Sequence, residues 1–382
     1  MRQDGTRRSG YKNYFDYSLL FIIMFLLGFG LVMLYSTSSY TAQLKFNNDA
    51  YYLNKQIFST AIGIFIMVVV SQFDYHILKK MAVFIYIASM PSLFLVLPPI
   101  GVELTGARRW FYLGPISVQP AEIVKIGVIV FFALVLEKRT KSIRNTLTVW
   151  YIMGFALLPA ALIYLVTDNL SSAIIVVGIA FVMVFIASPN YKGYILFVSL
   201  VAIAVLGFIY YVKTVGISSE GSFRMGRITT WLNPEESSQQ TGFQVLQGLY
   251  AIGSGGLFGK GLGKSIQKLG FVPEAQNDMI YTIICEELGV IGGIAVILLF
   301  VFMIWRFMII ANNASDLYGS MLVVGIMAHI AIQVILNIAV VTNTIPNTGV
   351  TLPFISYGGT SIVFLLAEMG IALSVSKRIR LD

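Results

Sequence analysis

Long apolar runs separated by short polar segments dominate the chain. A helix needs roughly 20 mostly apolar residues to cross the hydrocarbon core of a bilayer, and the sequence contains ten runs of about that length. The first run is too long for a signal-peptide core and has no convincing small-residue cleavage site, so we interpret it as a retained membrane helix. The ten predicted helices lie at about 16–36, 55–72, 77–97, 119–136, 148–166, 169–187, 194–212, 280–305, 318–341 and 357–376.

One long polar segment, at about 213–279, separates the seventh and eighth predicted helices. Its glycine, serine and glutamine content, together with Pro234 and Pro273, is typical of turns rather than of a separate core. Apolar patches inside it, such as 243–252, predict short amphipathic helices on the membrane face. Residues 1–382 are therefore predicted to form a single polytopic membrane domain with one long extracytoplasmic loop.

The composition supports a membrane protein. Of the 382 residues, 57% are hydrophobic and 12% are charged, and the mean hydropathy is +0.81. These values exclude ordinary soluble, disordered and disulfide-stapled domains. The single cysteine, Cys285, cannot form an internal disulfide and is predicted to be a small buried hydrophobic residue.

The net charge is +8, and the distribution of the basic residues among the loops indicates how the chain is oriented in the membrane. The predicted inner segments hold fifteen Lys and Arg residues, whereas the short outer loops hold four. Because cytoplasmic loops retain positive charge, both termini are predicted to be cytoplasmic. We therefore expect membrane lipids rather than nucleic acid as the partner of this charge. The predicted fold class is an all-α integral membrane protein with about ten transmembrane helices.

A glycine-rich tract at 253–265 resembles a phosphate-binding loop at first sight. The spacing excludes that motif, because Phe258 occupies the position of a required glycine and no strand precedes the tract. What remains is a flexible loop in which Lys260, Lys264 and Lys268 recur every four residues. That spacing suits a helix face that binds an anionic headgroup or a diphosphate. A solvated basic face beside lipid is an equally good interpretation.

Acidic residues cluster where the eighth helix begins. Glu274 and Asp278 lie at its outer mouth, and Asp278, Thr282 and Glu286 share one helical face. Asp278 suits either the N-cap of this helix or a general base. Glu286 and its neighbour Glu287 lie inside the apolar run, where ionisable groups usually face a partner or a wet cavity.

The fourth helix opens with Gln119-Pro-Ala-Glu-Ile-Val-Lys125, which places Glu122 three residues before Lys125. The two side chains are predicted to pair on one face of the helix. Just before them, Arg108 and Arg109 could clamp phosphate groups from the outer side.

Histidine and amide side chains form a polar stripe on the ninth helix, at His329, Gln333 and Asn337. Such stripes mark contacts between helices more often than metal sites. With His76 as the only other histidine, and no His/Cys cluster, we predict no resident metal site.

Six segments, in this order, resemble the SEDS family of bacterial shape, elongation, division and sporulation proteins, whose members include FtsW, RodA and SpoVE. The resemblance covers nearly the whole chain, and it leans towards the division and sporulation branch. The segments are Gly106-Ala-Arg-Arg-Trp110, Gln119-Pro-Ala-Glu-Ile-Val-Lys125, Ala251-Ile-Gly-Ser-Gly-Gly-Leu-Phe-Gly-Lys-Gly-Leu-Gly263, Pro273-Glu-Ala-Gln-Asn-Asp278, Glu286-Glu-Leu-Gly289 and Pro353-Phe-Ile-Ser-Tyr-Gly-Gly-Thr-Ser361.

The resemblance implies a peptidoglycan glycosyltransferase of the bacterial cytoplasmic membrane that polymerises undecaprenyl-linked lipid II at the outer face. It implies a class B penicillin-binding protein transpeptidase as the partner, with Mg²⁺ or Mn²⁺ as an optional companion of the diphosphate. Asp278 is the expected catalytic base. The expected substrate-binding residues are Arg108, Arg109, Glu122, Lys125, Lys260, Lys264, Lys268, Glu274 and Ser356. The alternatives are a lipid II flippase, with the buried charges lining a transport path, and a noncatalytic division scaffold.

Three departures from the family pattern bear on the site. Asn169 stands where relatives commonly carry a carboxylate, so a pairing of that position with Lys125 is not expected here. Gln276 replaces a usual histidine, which removes a titrating neighbour of Asp278. The segment 343–346 reads Asn-Thr-Ile-Pro in place of Gly-Leu-x-Pro.

Overall fold

Helices make up almost all of the structure, a computed structural model that describes residues 14–104, 107–113, 116–189, 191–215, 223–235 and 241–379. The first six α-helices are α1 (Tyr17–Phe46), α2 (Tyr51–Gln72), α3 (His76–Ser92), α4 (Pro120–Lys138), α5 (Thr146–Thr167) and α6 (Leu170–Ala187). The other six are α7 (Tyr191–Val215), α8 (Phe223–Leu232), α9 (Thr241–Ser254), α10 (Ile280–Asn312), α11 (Leu317–Val341) and α12 (Ser361–Ser376). Short 3₁₀ turns follow α3 at Leu93–Val96 and precede α5 at Ser142–Arg144.

Each of the ten predicted apolar runs is a helix, and eight of these helices are long and apolar enough to cross a membrane. The two others are α4, which carries charged residues at both ends, and α12, which has only 16 residues. A 16-residue helix spans about 24 Å, less than the hydrocarbon thickness of about 30 Å. The predicted amphipathic segment 243–252 lies within α9. The chain is therefore a multi-pass membrane protein.

A small antiparallel sheet between α3 and α4 was not predicted. Its strands β1 (Gly101–Leu104), β2 (Ala107–Leu113) and β3 (Ile116–Val118) pair in the order β1-β2-β3. Gly106 of the Gly-Ala-Arg-Arg-Trp segment lies outside the described residues. The hydroxyl of Thr360 donates to the carbonyl of Ser117, which ties the sheet to the loop before α12.

The helices α4, α11 and α12 form the centre of the bundle. Most residues of α4 and α12 are buried, whereas α7 is almost entirely exposed along its membrane-length stretch. Small residues bring helices close together: a Cβ atom at Gly325 of α11 would lie 2.7 Å from the side chain of Ile129 in α4. Close packing through small residues is how helices associate in lipid, where hydrophobic burial offers little driving force between them.

Charged groups gather at the end of the bundle where α1 begins and α12 ends, which we call the basic end. There the Arg306 guanidinium pairs with Asp16 at 2.7 Å, and Lys79 pairs with Glu137 at 2.7 Å. The opposite end, which carries the sheet and the start of α10, is called the site end. Residues 1–13, which hold part of the predicted inner charge, lie outside the described residues.

Helix α10 is interrupted at Gly289, whose φ of 71° and ψ of −173° are not helical. This backbone region is open essentially to glycine alone. The break leaves backbone groups without helical partners, and the glycine-rich loop after α9 satisfies them. Its amides at Lys260 and Gly261 donate to the carbonyls of Glu286 and Glu287, and its carbonyls at Gly256 and Leu257 accept from Val290 and Ile291, over 2.9 to 3.3 Å.

Candidate active site

Asp278 lies two residues before α10, and its side chain is free of capping bonds. The residue is only 8% exposed, and its Oδ1 atom is buried without a hydrogen-bond partner. The N-cap of α10 is Met279, and no side chain caps the helix. The capping interpretation of Asp278 was therefore wrong, and the carboxylate is available for another role.

Backbone contacts hold Asp278 in place. The Asn337 side-chain amide donates to the carbonyl of Asp278 at 2.8 Å and to that of Val350 at 2.7 Å. A Cβ atom at Gly349, which has a φ of +69°, would lie 3.9 Å from Oδ2 of Asp278. The carboxylate thus faces a turn that presents no side chain at this position.

The polar stripe of α11 makes contacts between elements, as predicted. Besides the bonds of Asn337, Gln333 donates to the carbonyl of Thr351 at 3.1 Å. The imidazole of His329 lies 2.8 Å from the carboxylate of Glu368 in α12. The stripe therefore joins α11 to α12 and to the loop that faces Asp278.

Burial raises the pKa of Asp278 to about 7, and the negative charge of Glu274 raises it further, while the residue's own backbone amide and the Arg227 charge oppose the shift. A carboxylic acid with such a pKa is well suited to proton transfer near neutral pH.

Two guanidinium groups lie near each other at the site end, and one of them, Arg227, is close enough to Asp278 to oppose the rise in its pKa. Arg109 on β2 donates to the carbonyl of Asp168 at 3.0 Å, and Arg227 on α8 donates to the carbonyl of Asn347 at 3.2 Å. Burial lowers the pKa of Arg109, and so does the nearby charge of Arg227, while the negative charge of Asp168 opposes the shift. Two like charges held close together attract an anion with two or more negative charges.

Sequence reasoning selected Arg109 but missed Arg227. The missed residue lies in the polar segment between α7 and α10, where it is one of two arginines spaced three residues apart, Arg224 and Arg227. Its position became evident only when α8 packed beside the turn at 347–349.

The lysines of the glycine-rich tract do not lie on one helix face, so that prediction was wrong. No helix covers them, and two of the three form ion pairs with buried glutamates. Lys260 contacts Glu286 at 2.7 Å, and Lys268 contacts Glu287 at 2.8 Å. Only Lys264 is exposed. Glu286 and Glu287 thus each contact a lysine, as predicted for ionisable residues inside an apolar run.

Three further predicted site residues take different positions. Arg108 is exposed on β2, and Glu274 is exposed in the loop before α10, where its carboxylate accepts from the Asn277 amide. Ser356 is buried, and its hydroxyl accepts from the amide of Leu352 at 2.8 Å. Arg108 and Glu274 therefore lie on the surface, whereas Ser356 stabilises its own loop.

The predicted pair on α4 is present and buried. Lys125 contacts Glu122 at 2.7 Å, and the side chains are 2% and 8% exposed. Asn169, the departure from the family pattern, caps α6 by accepting from the amide of Ser172 at 3.0 Å. Lys125 and Glu122 therefore neutralise each other's charge inside the bundle, near the start of α4.

An apolar groove of about 790 Å³ runs between α5, α6 and α7. Side chains such as Leu157 and Phe181 line it, Arg144 lies at the basic end, and Leu170 lies towards the site end. Leu170 follows closely after Asp168, whose carbonyl accepts from Arg109. The groove therefore reaches from the membrane interior towards the two arginines.

Comparison with known proteins places the chain in a family. A family model described as a cell cycle protein and covering FtsW, RodA and SpoVE matches residues 17–381. The chain is 39% identical over 368 residues to stage V sporulation protein E of Bacillus subtilis strain 168, covering 95% of this chain and 97% of the relative. It belongs to the FtsW/RodA/SpoVE family.

Other relatives agree with this assignment. The probable peptidoglycan glycosyltransferase FtsW of Bacillus subtilis is 37% identical over 371 residues, with 95% of this chain and 90% of the relative covered. A solved peptidoglycan synthase complex contains a chain with a TM-score of 0.76 and 25% identity, covering 95% of this chain and 97% of that one. The rod shape determining protein RodA of Thermus thermophilus gives a TM-score of 0.68 and 26% identity, with 96% and 98% covered.

Like its FtsW and RodA relatives, the chain is a multi-pass protein of the bacterial cytoplasmic membrane. The pieces that carried the family resemblance also explain its architecture. The glycine-rich tract fills the break in α10, and the Glu286-Glu-Leu-Gly289 segment supplies both that break and the carboxylates that hold the loop.

No metal cluster accompanies the site in the part of the chain that the structure describes. No three His, Cys, Asp or Glu side chains lie close enough there to hold an ion. Mg²⁺ and Mn²⁺ prefer several oxygen ligands. A divalent cation at this end of the bundle would therefore need most of its ligands from a bound substrate.

The raised pKa of Asp278 predicts a pH-dependent stability effect. Asp278 stabilises the folded state fully when the pH is below 3.8, the ordinary pKa of an aspartate. This stabilisation is lost as the pH rises through about 7, the pKa of Asp278 in the folded protein. The substitution Asp278→Asn removes this loss. We expect the variant's Tm in detergent to exceed that of the wild type at pH 8 and the difference to shrink at pH 5. The corresponding difference in the free energy of unfolding has an upper limit of about 4 kcal/mol. An equal difference at both pH values would contradict the burial argument.

Proposed function

We propose that the chain is a peptidoglycan glycosyltransferase that polymerises lipid II, with Asp278 as the general base. The observation that carries this proposal is a buried carboxylate with a pKa of about 7, whose Oδ1 atom has no hydrogen-bond partner and which lies near the Arg227 charge. The names of the FtsW relatives support the same activity.

In the proposed reaction, Asp278 takes the proton from the 4-hydroxyl of the acceptor GlcNAc. The oxygen attacks the anomeric carbon of the donor sugar, and the bond from that carbon to the diphosphate oxygen breaks. The leaving group is undecaprenyl diphosphate, and a single displacement inverts the anomeric centre. The unpaired Oδ1 of Asp278 is a free acceptor for the transferred proton.

The arginine pair supplies the charge that the leaving group needs. Negative charge builds up on the diphosphate as its bond to the sugar breaks, and fixed cations stabilise that charge in a site of low dielectric. Arg109 and Arg227 come from separate elements, β2 and α8, and each is anchored by a backbone carbonyl. Exposed Lys264 would guide an anionic substrate towards them, and the exposed Arg108 adds positive charge at the same end of the bundle.

The substrate's polyprenyl chain needs an apolar path that opens to lipid. The groove between α5, α6 and α7 has this character along the depth of the bundle, and its site end approaches Asp168 and Arg109. A diphosphate at the arginines and a hydrocarbon tail in the groove would use the two features together.

Two companions of the reaction are part of the proposal. A class B penicillin-binding protein would crosslink the product, and the structural likeness to a peptidoglycan synthase complex supports such an assembly. A divalent cation would travel with the diphosphate, because the described residues contain no cluster to hold it.

The test is synthesis of glycan by the purified protein with its class B partner and labelled lipid II. We expect glycan chains on a gel and release of undecaprenyl diphosphate. If no glycan forms with Mg²⁺ or Mn²⁺ present, but labelled lipid II crosses liposome bilayers that contain the protein, the flippase alternative replaces this proposal. If neither activity occurs and the partner still binds, the scaffold alternative replaces it.

The arginine pair leads to a separate expected result. Replacing Arg227 with Gln removes one of the two charges at the diphosphate, and we expect kcat/KM for lipid II to fall about 10²-fold. Arg227→Lys should retain part of the activity, since it keeps the charge without the planar fork. The matched control is Lys264→Gln, which removes an exposed cation of the neighbouring loop. Equal effects of the Arg227→Gln and Lys264→Gln changes would argue for general charge attraction instead.

A further inference from the structure

Four aromatic rings form a continuous row at the site end, which we call the aromatic row. Phe46 ends α1, Tyr51 and Tyr52 begin α2, and Tyr357 lies in the loop before α12. The rings of Phe46 and Tyr51 stack with centroids 3.8 Å apart, and those of Tyr52 and Tyr357 meet edge to face at 5.1 Å. Phe46 and Tyr52 complete the row at 5.8 Å.

The aromatic row is connected to the loop that carries Asp278. The amide of Tyr357 donates to the carbonyl of Gln276 at 2.9 Å, and Gln276 precedes Asp278 by two residues. The next amide, of Gly358, donates to the buried side chain of Gln56 at 3.4 Å. The loop that carries Tyr357 therefore lies directly against the loop that carries Asp278.

Aromatic side chains at a membrane surface usually serve as an interfacial belt with their rings in the lipid headgroup layer. The aromatic row differs, because its rings pack on one another across two loops. Phe46 remains 43% exposed, and Tyr51, Tyr52 and Tyr357 are half-buried. Burial raises the pKa of Tyr357 to about 12, and the nearby Tyr51, Tyr52 and Tyr112 contribute to the shift, so its hydroxyl remains a donor.

Polar groups flank the rings. Lys55 lies 4.5 Å from the centre of the Tyr51 ring and donates to its hydroxyl at 2.6 Å, and Glu274 is exposed in the loop before α10. A surface that combines apolar ring faces with hydrogen-bonding edges matches a sugar ring, which has apolar C–H faces and hydroxyl groups around its rim.

We propose that the aromatic row binds the nascent glycan strand as it leaves the active site. This inference rests on the proposed function, since it takes the product of that reaction as its ligand. Successive bonds form at one place, so the sugars next to the newest bond must lie on the surface beside Asp278. Retention of those sugars between additions lets the same strand be extended again, and the aromatic row thereby sets the length of the product.

The test uses the full-length protein in complex with its class B partner, with labelled lipid II as substrate. The variants are Tyr52→Ala, Phe46→Ala and the double variant. Tyr52→Phe keeps the ring, and Phe65→Ala removes an exposed aromatic residue from the same helix α2 far from the row. We expect the alanine variants to make strands several-fold shorter, while lipid II consumption stays within about twofold and both controls match the wild type.

A binding measurement separates this inference from the proposed function. Lipid-free glycan fragments of alternating GlcNAc and MurNAc should give saturation-transfer NMR signals with the wild type, and the double alanine variant should bind them about tenfold more weakly. Glycan synthesis with unchanged strand lengths and no such binding overturns the inference alone. Binding that depends on the row in a protein that makes no glycan overturns the proposed function alone. Loss of partner affinity in the alanine variants, with normal fragment binding, would identify the row as a protein contact and overturn the inference.

Discussion

The variant Asp278→Asn is expected to lose glycan synthesis by about 10²- to 10⁴-fold, the range typical of a removed general base. The amide keeps the size of the side chain and cannot accept the acceptor's proton as a carboxylate does. The fold should persist, because Asp278 caps no helix and its side chain supports no other element. The measurement is the initial rate of lipid II consumption, with partner binding measured in parallel.

The matched control for this change is Glu274→Gln, which neutralises an exposed carboxylate four residues earlier. It should retain most of the activity, with the midpoint of the pH profile shifted down, because a negative charge that raises the pKa of Asp278 is gone. In the wild type, the rate should fall as the pH drops below about 7, because Asp278 takes up a proton, and should level off above that value. A flat profile between pH 5 and 8, or similar losses in both variants, would assign the proton transfer to another group.

The variant Gly289→Ala is expected to prevent accumulation of folded protein. A Cβ atom at this position would lie 2.3 Å from the carbonyl oxygen of Leu257 and 2.4 Å from the amide nitrogen of Gly259, both of them backbone atoms that cannot move aside cheaply. The backbone angles add a second cost, because residues with a side chain rarely adopt them. The measurement is the yield of monodisperse protein after extraction in detergent.

Gly28→Ala provides the control for that experiment. Gly28 lies within α1, and a Cβ atom there would meet nothing within 4 Å. Alanine also favours a helix over glycine, so this variant should accumulate at least as well as the wild type. Normal yield and thermal stability of Gly289→Ala would show that the loop can leave the break in α10 without loss of the fold.

The sequence predicted most of the helices because each apolar run carries its own signal, independent of its neighbours. The Glu122–Lys125 pair was predictable for the same reason, since both residues lie within one turn of one helix. The three-stranded sheet was missed because its strands have only three to seven residues and no extended alternation of apolar and polar positions.

The remaining features depend on contacts between distant segments. The glutamate partners of Lys260 and Lys268 lie 26 and 19 residues further along the chain. These pairs form where the glycine-rich loop packs against the break in α10 at Gly289, and the sequence pattern does not predict that packing. Arg227 likewise acquires a role only when α8 lies beside the loop before α12. Such ion pairs and side-chain positions depend on the tertiary structure, so a pattern along the sequence does not predict them.

The break in α10 has a consequence for the biogenesis of the protein. A segment with two adjacent carboxylates enters the bilayer at a cost of about 2.5–3.5 kcal/mol for each charge near the centre of a helix. Lys260 and Lys268 are synthesised before Glu286 and Glu287, so the compensating charges are already present when the ribosome delivers α10. We expect the first turns of α10 to leave the translocon together with the preceding loop as one unit.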